Sequence, residues 1–463
     1  MTNPTLPIPE VQADPLTPNF TWSRHWYPVA YLKDLDPARP SAFTLLGDPL
    51  VLWWDQHYNQ WRAFADVCPH RLVPLSEGRI NELGNLECPY HGWSFNGEGH
   101  CTRIPQAPPA AEQAEPSADA LEARLTSPRS RCRPYATACG QGLLFVFAGD
   151  STEAETVPLP LVPPLTEEAE AWFVQDTFRD LPYDALTLLE NVLDVSHVPF
   201  THHATVGKRE TAGPVNAKLI RFGAEGFQGV WEEGPRQGKL GTQFTTFAAP
   251  CLMWHDLTAK GFARILTVVY ATPIRKGECR LFARFPFRFE SPWPARLLRL
   301  RPEWLQHINN HVVLEDDQIF LHHQERVLEQ RGGSKELPRS CYLATGADRY
   351  IQALHEWVVK EAGEPFPENH LPPRLPAAPL LERWESHSQH CRSCRQADKR
   401  LEFLQRVGWP LAATSALAAA WWGPTLPGGA LAILAALLSG FTWQCGRWRQ
   451  SLRHGRRTPP RNR

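Results

Sequence analysis

Only two methionines occur among the 463 residues, and the formal net charge is −1, with 48 Lys and Arg balanced by 49 Asp and Glu. A near-neutral chain exerts no general pull on a polyphosphate, so nucleic acid is not an expected partner. The opening stretch MTNPTLPIPEVQADPLTPNF lacks both an apolar run and an Arg-rich amphipathic pattern. It reads as a disordered leader over 1–20, and as neither a secretory signal nor an obvious organelle transit peptide. No internal repeat stands out, which removes solenoids and propellers. Eleven cysteines at this length do not make a disulfide scaffold, and a reducing, cytosol-facing compartment fits better. Eighteen Trp and 44 Pro point instead to an aromatic-rich, loop-rich protein long enough for two or three domains.

Chemistry is concentrated first in Cys68-Pro69-His70-Arg71, followed sixteen residues later by Cys88-Pro89-Tyr90-His91-Gly92-Trp93. Two Cys and two His paired in this way suit a Rieske [2Fe–2S] cluster, where thiolates hold one iron and neutral imidazoles the other. The imidazoles raise the potential above that of an all-Cys cluster. A zinc site also uses Cys and His at short spacing, but rarely as Cys-x-His then Cys-x-x-His with Pro after each Cys and Gly-Trp at the end. Around this motif, over 21–150, short apolar runs broken by Asp, Asn and Gly predict antiparallel hairpins. An Ala/Pro/Glu-rich surface insertion is expected at about 106–130.

A second metal site is expected in 151–371, where strand-like and helical runs mix in an α+β pattern. There Asn191, Asp194 and His197 fall at i, i+3 and i+6, roughly on one face of a predicted helix. His202 would point elsewhere on an uninterrupted helix, but Pro199 breaks it and frees the turn to bring His202 back, with His203 as the alternative. Two imidazoles and one carboxylate make the facial triad of non-haem Fe(II), leaving positions open for O₂ and substrate. The carboxylate must come from afar: Asp317 on a predicted helix is the candidate and Asp316 its rival. His307, His311, His322 and His323 read as surface or supporting residues.

Beyond a Pro-rich break, 372–404 form a linker carrying Cys391-Arg392-Ser393-Cys394. This C-x-x-C can form a reducible disulfide, bind zinc with outside ligands such as His387 and His390, or do nothing. Then come two uncharged apolar stretches, 407–422 and 429–445, within a segment 405–445. They sit at the short edge of the about 17–25 residues that span a bilayer. Basic residues before the first and after the second favour a transmembrane hairpin with both flanks cytosolic, over a buried or interfacial pair. A basic tail, 446–463, holds seven Arg and no acid.

CPHR…CPYHGW followed by NxxDxxHxxxxH resembles the Rieske non-haem iron oxygenases. WSRHWYPVAYLKDL, SHVPFTHH, the D-Q-x-x-L-x-x-Q pattern from Asp317, the C-x-x-C and the two apolar stretches resemble its membrane-anchored branch, which includes pheophorbide a oxygenase and chlorophyllide a oxygenase. The resemblance implies an all-β Rieske domain, an antiparallel-sheet α+β catalytic domain and a C-terminal transmembrane hairpin. It implies a [2Fe–2S] cluster at Cys68, His70, Cys88 and His91, and a mononuclear Fe(II) at His197, His202 and Asp317. Asp194 would bridge to the cluster of a neighbouring subunit in a homotrimer. Reduced ferredoxin would supply electrons, O₂ and a chlorophyll-type tetrapyrrole would be substrates, and Cys391 with Cys394 would be a redox-responsive dithiol open to thioredoxin. A cyanobacterial protein is implied, membrane-anchored with its metal domains facing the cytosol.

Overall fold

A computed structural model describes residues 20–107, 116–456 and 459–462; the predicted leader up to residue 19 and part of the predicted insertion lie outside them. The described residues up to 150 carry three small antiparallel sheets. One pairs Leu143–Phe147 with Trp26–Tyr31 and Thr137–Gly140, and a second orders Ser41–Leu45, Asp48–Asp55, Gln60–Ala65 and Pro134–Tyr135. Leu46 and Gly47, both at positive φ, make the two-residue turn that the strand twist favours between the first two strands of the second sheet. The third sheet runs Arg79–Ile80, Leu86–Glu87, Ser94–Phe95 and Cys101–Arg103, and the two Cys-Pro loops flank it. Where the sequence predicts a surface insertion, a helix spans Pro116–Thr126. Its Leu125 packs on the apolar core that encloses Cys68 and Cys88. Ala, Leu, Glu and Arg are strong helix formers, and they outweigh the Pro-rich surroundings.

The rest of the chain is built on one seven-stranded antiparallel sheet, ordered Phe173–Leu181, Glu278–Phe289, Phe262–Arg275, Leu252–Ala259, Gln243–Ala248, Gly226–Trp231 and Lys218–Gly223. The two regions share a core. Tyr31, Leu50 and Phe145 from the first join Phe178, Tyr270 and Phe282 from the second, and Thr272 Oγ1 donates to the Pro28 carbonyl at 2.7 Å.

Against this sheet lies the 28-residue helix Glu303–Gln330, which buries His307, His311, Glu315, Asp316, Asp317, Gln318, His322, Glu325 and Arg326. Burying such a face is offset where its groups are partnered, and most are, although both ring nitrogens of His311 stay unbonded. Glu315 accepts from Arg179 at 2.8 Å and from Arg383 at 2.7 and 2.6 Å. Glu325 accepts from the Asp184 N–H at 2.9 Å and from Thr187 at 3.0 Å. His322 donates to the Pro182 carbonyl at 2.6 Å and accepts from the Leu375 N–H at 2.9 Å.

Two antiparallel helices follow, Arg392–Trp422 and Leu426–Arg453, and beyond them a short turn at Pro460–Asn462 brings Arg461 onto the Asp316 carbonyl. Both helices are longer than the apolar stretches alone, because the flanking Arg, Gln, Lys and Glu residues also favour helix. The first part of the predicted basic tail is the final turns of the second helix, where Arg449 and Arg453 pair with buried Asp398 at 3.1 and 2.8 Å. The helices approach closely at Gly408, where an added Cβ would lie 2.2 Å from Thr442 Oγ1. Small residues allow such crossings. Outward, Trp421 and Leu426 are 89% and 93% exposed, with Leu417, Ile433 and Leu437 also bare, more apolar surface than a soluble face normally shows. Among the described residues one helix, Leu426–Arg453, is long and apolar enough to cross a membrane.

Burial alone would raise the Glu315 carboxyl, but Arg179 and Arg383 outweigh it and hold it below the usual carboxylate range. Its contribution is therefore full at neutral pH and is lost only as pH falls through that lowered value. Glu315→Ala leaves two buried guanidiniums without a counter-ion, so a loss of about 3–5 kcal/mol is expected, measured as a lower urea midpoint at neutral pH.

Candidate metal centres

The two Cys-Pro loops share one construction. The Cys68 N–H donates to the Val73 carbonyl at 2.9 Å and the Cys88 N–H to that of Trp93 at 2.8 Å. Four residues after each Cys the chain bonds back, Leu72 N–H to Cys68 and Gly92 N–H to Cys88, at 2.9 and 3.2 Å. Both closing residues have positive φ, 61° and 71°, which Gly92 adopts freely and Leu72 only under constraint. The cysteines are thereby sunk into the core, at 1% and 3% exposure, while His70 is exposed and His91 half-buried. Their rings lie 4.6 Å apart, and Trp93 stacks flat on His70 at 4.6 Å. Thiols inside and imidazoles at the rim suit a cluster that exchanges electrons across a surface. Cys101 and Cys132 also line the core behind the ligand cysteines.

The second constellation forms where a helix fails to continue. Ala185–Leu193 ends at Leu193 and Asp194 is its extended C-cap, whereas the sequence pattern predicts one helix carrying Asn191, Asp194 and His197. Asp194 Oδ1 accepts from the Ser196 N–H and hydroxyl, both at 2.7 Å, a local bond that competes with the helix. Pro199 then sits in the first turn of the short helix Val198–Thr201 and His202 caps its end. The break therefore precedes Pro199, which begins the new helix, and the His197 and His202 rings come within 5.2 Å.

Donor atoms of His197, His202 and Asp317 all lie within 4.8 Å of one another. Asp317 Oδ2 stands 3.2 Å from His202 Nε2, and Asp317 Oδ1 is buried with no hydrogen-bond partner, the state of an atom that a metal ion would satisfy. Asp316 faces the other side of the same ring, 3.4 Å from His202 Nδ1, and accepts from Thr205 Oγ1 at 2.8 Å. That is where a carboxylate orients a ligating imidazole. His197 Nδ1 donates to the Asp194 carbonyl at 2.8 Å, leaving Nε2 free to ligate. Burial pushes the Asp317 carboxyl up, opposed by His202, His197 and the Asn191 amide. His203 turns away and accepts from the Arg209 N–H.

Beside His197 opens a cavity of about 520 Å³, whose wall includes Phe200, Pro214, Val215, Trp231 and Leu240. The size is that of a small-molecule site. The Trp231 indole N–H is buried without a partner, a donor available to a ligand.

A Rieske [2Fe–2S] domain model matches residues 25–119 and a pheophorbide a oxygenase model residues 247–335. Pheophorbide a oxygenase of Arabidopsis thaliana is 36% identical over 84% of this chain and 74% of its own length. The chain belongs to the Rieske non-haem iron oxygenases. Flavonoid 8-hydroxylase 2 of Ocimum basilicum is 31% identical over 86% of this chain and 77% of its own length. Among solved structures, dicamba monooxygenase bound to dicamba superposes with a TM-score of 0.54 at 20% identity, covering 73% of this chain and 99% of that one. NdmB of Pseudomonas putida CBB5 superposes equally well, 0.54 at 21% identity over 74% and 92%. These two share the fold. As a Rieske oxygenase the chain carries a [2Fe–2S] cluster and a mononuclear iron.

Cys391 and Cys394 depart from expectation. The resemblance implies a dithiol open to thioredoxin, yet both thiols are 0% exposed, and exchange requires an accessible thiolate. They are enclosed because the segment around them is folded onto the catalytic sheet. His390 is exposed, while His387 and the distant His307 lie against them. No local spacing marks His307, 84 residues before Cys391.

Asp317→Ala is expected to abolish binding of the mononuclear Fe(II) while keeping the visible absorption of the cluster. Asp316→Ala should retain the site and weaken it by about 10–100-fold. Anaerobic Fe(II) titration of the two variants distinguishes these outcomes.

Proposed function

We propose that this Rieske oxygenase uses electrons from reduced ferredoxin and O₂ to oxygenate a chlorophyll-related tetrapyrrole. The observation that carries this reading is the apolar cavity opening beside His197, in a chain 36% identical to pheophorbide a oxygenase. Cys68, His70, Cys88 and His91 hold the cluster, and His197, His202 and Asp317 hold the Fe(II). When bound, the cluster supplies single electrons and the ferrous ion supplies the coordination positions for O₂.

The remaining work belongs to side chains. Asp316 and the Asp194 carbonyl fix the two imidazoles with their free nitrogens toward the centre, and Asn191 steadies Asp317. Phe200, Val215 and Leu240 exclude water and grip an aromatic macrocycle, Trp231 offers its N–H to a substrate oxygen, and Arg236 in the same wall suits a carboxylate side chain. The Asp194 carboxylate, 29% exposed, accepts the ring N–H of a cluster histidine from a neighbouring copy in a homotrimer, linking the two centres between subunits. The C-terminal helices anchor the protein in a membrane with both metal centres on the cytosolic side, so a greasy substrate arrives along the bilayer. Arg449 and the other basic residues at the helix ends suit that orientation.

The test supplies reduced ferredoxin, ¹⁸O₂ and either pheophorbide a, chlorophyllide a or a flavone. The account expects labelled product from a tetrapyrrole; label in the flavone alone would reassign the substrate. Asp194→Asn should keep both metal contents and lower turnover by orders of magnitude, and a variant with near-native turnover would remove the bridging role.

A further inference from the structure

The strongest feature that the oxygenase reading leaves unused is the knot of His307, His387, Cys391 and Cys394. All four are buried, and one donor atom from each lies within 4.8 Å of every other. His307 Nδ1 is 3.3 Å from Cys394 Sγ, 3.5 Å from Cys391 Sγ and 3.2 Å from His387 Nε2, which is itself 3.4 Å from Cys394 Sγ. We propose that these four side chains form a tetrahedral Cys₂His₂ site for a structural zinc ion, separate from both iron centres.

Three observations carry it. With Zn–S of about 2.3 Å and Zn–N of about 2.0–2.1 Å, tetrahedral donors stand about 3.3–3.8 Å apart, close to the observed separations. Each imidazole is already committed at its other nitrogen: His307 Nε2 donates to the Asp176 carbonyl at 2.9 Å and His387 Nδ1 to that of Phe178 at 2.7 Å. Those bonds fix the tautomers so that both unprotonated nitrogens face the thiols, as the outer partners of metal-bound histidines do. Both thiols are at 0% exposure, which disfavours a disulfide switch and suits a closed structural site. A second [2Fe–2S] cluster does not fit, because two irons and bridging sulfides would hold the thiols far from the imidazoles.

The ligands explain what the ion would do. His307 lies on the long helix, His387 on the wide turn Trp384–Ser388, and Cys391 and Cys394 at the start of the first C-terminal helix. The ion thus rivets the C-terminal helical pair to the helix that presents Asp317, ten residues or about 15 Å further along.

Full-length protein, purified under reducing conditions in detergent, should contain one zinc per chain in addition to iron. Zinc-edge X-ray absorption should show two sulfur and two nitrogen neighbours. Cys391→Ser combined with Cys394→Ser should lose the zinc and keep the cluster absorption, while Cys341→Ser, at an exposed thiol, should keep both. If the double variant does not fold, the wild-type spectrum decides. Zinc well below one per chain even after incubation with Zn²⁺, a zinc spectrum without sulfur, iron in the site, or a native Cys391–Cys394 disulfide in peptide mass spectra would each overturn the proposal. Iron content is read separately, so failure here leaves the oxygenase reading standing.

Discussion

The position of one carboxylate governs this structure. Asp317 must project from the long helix Glu303–Gln330 and meet two imidazoles from a segment more than a hundred residues earlier, and it does so from within the core. A helix placing charge inside a protein needs its other polar groups neutralised or bonded, or it slides to the surface. Glu315, one residue before the Asp316–Asp317 pair, is clamped by the guanidiniums of Arg179 and Arg383, and His322 and Glu325 are held on the following turns. These contacts fix rotation and register together, so Asp316 and Asp317 address opposite nitrogens of the same histidine.

Preorganisation of this kind has a chemical purpose. An open-faced iron site is useful only if its protein ligands hold the occupied face while small molecules come and go on the other. The imidazoles are set by backbone and carboxylate bonds and the carboxylate by the buried helix, while an apolar cavity lies beside His197. The Rieske end is built differently. Its loops bury sulfur and expose imidazole, with Trp93 stacked on His70, so an electron can enter or leave at the surface while the thiolates stay dry.

Much of this was legible in the residues. The Cys-Pro loops were recognisable because ligand spacing within a tight loop is local, and the same holds for His197 and His202. The sequence pattern places the helix break at Pro199, whereas the Asp194–Ser196 bonds end the helix earlier. The long helix carries its polar face inward, so residues such as His307 that look solvated in sequence are core residues here. The C-x-x-C pair was visible, but two of its four neighbours in space come from other elements, and spacing is silent about such partners. The pairing of Arg449 and Arg453 with Asp398 was hidden for the same reason, making a helix end look like a free tail.

Counting iron tests the central claim most directly. Protein depleted of loosely held metal and then loaded with Fe(II) without oxygen should reach three irons per chain, with the Mössbauer signals of a [2Fe–2S] pair and one separate high-spin ferrous ion. A wild-type chain with an intact cluster spectrum that never exceeds two irons would contradict the account.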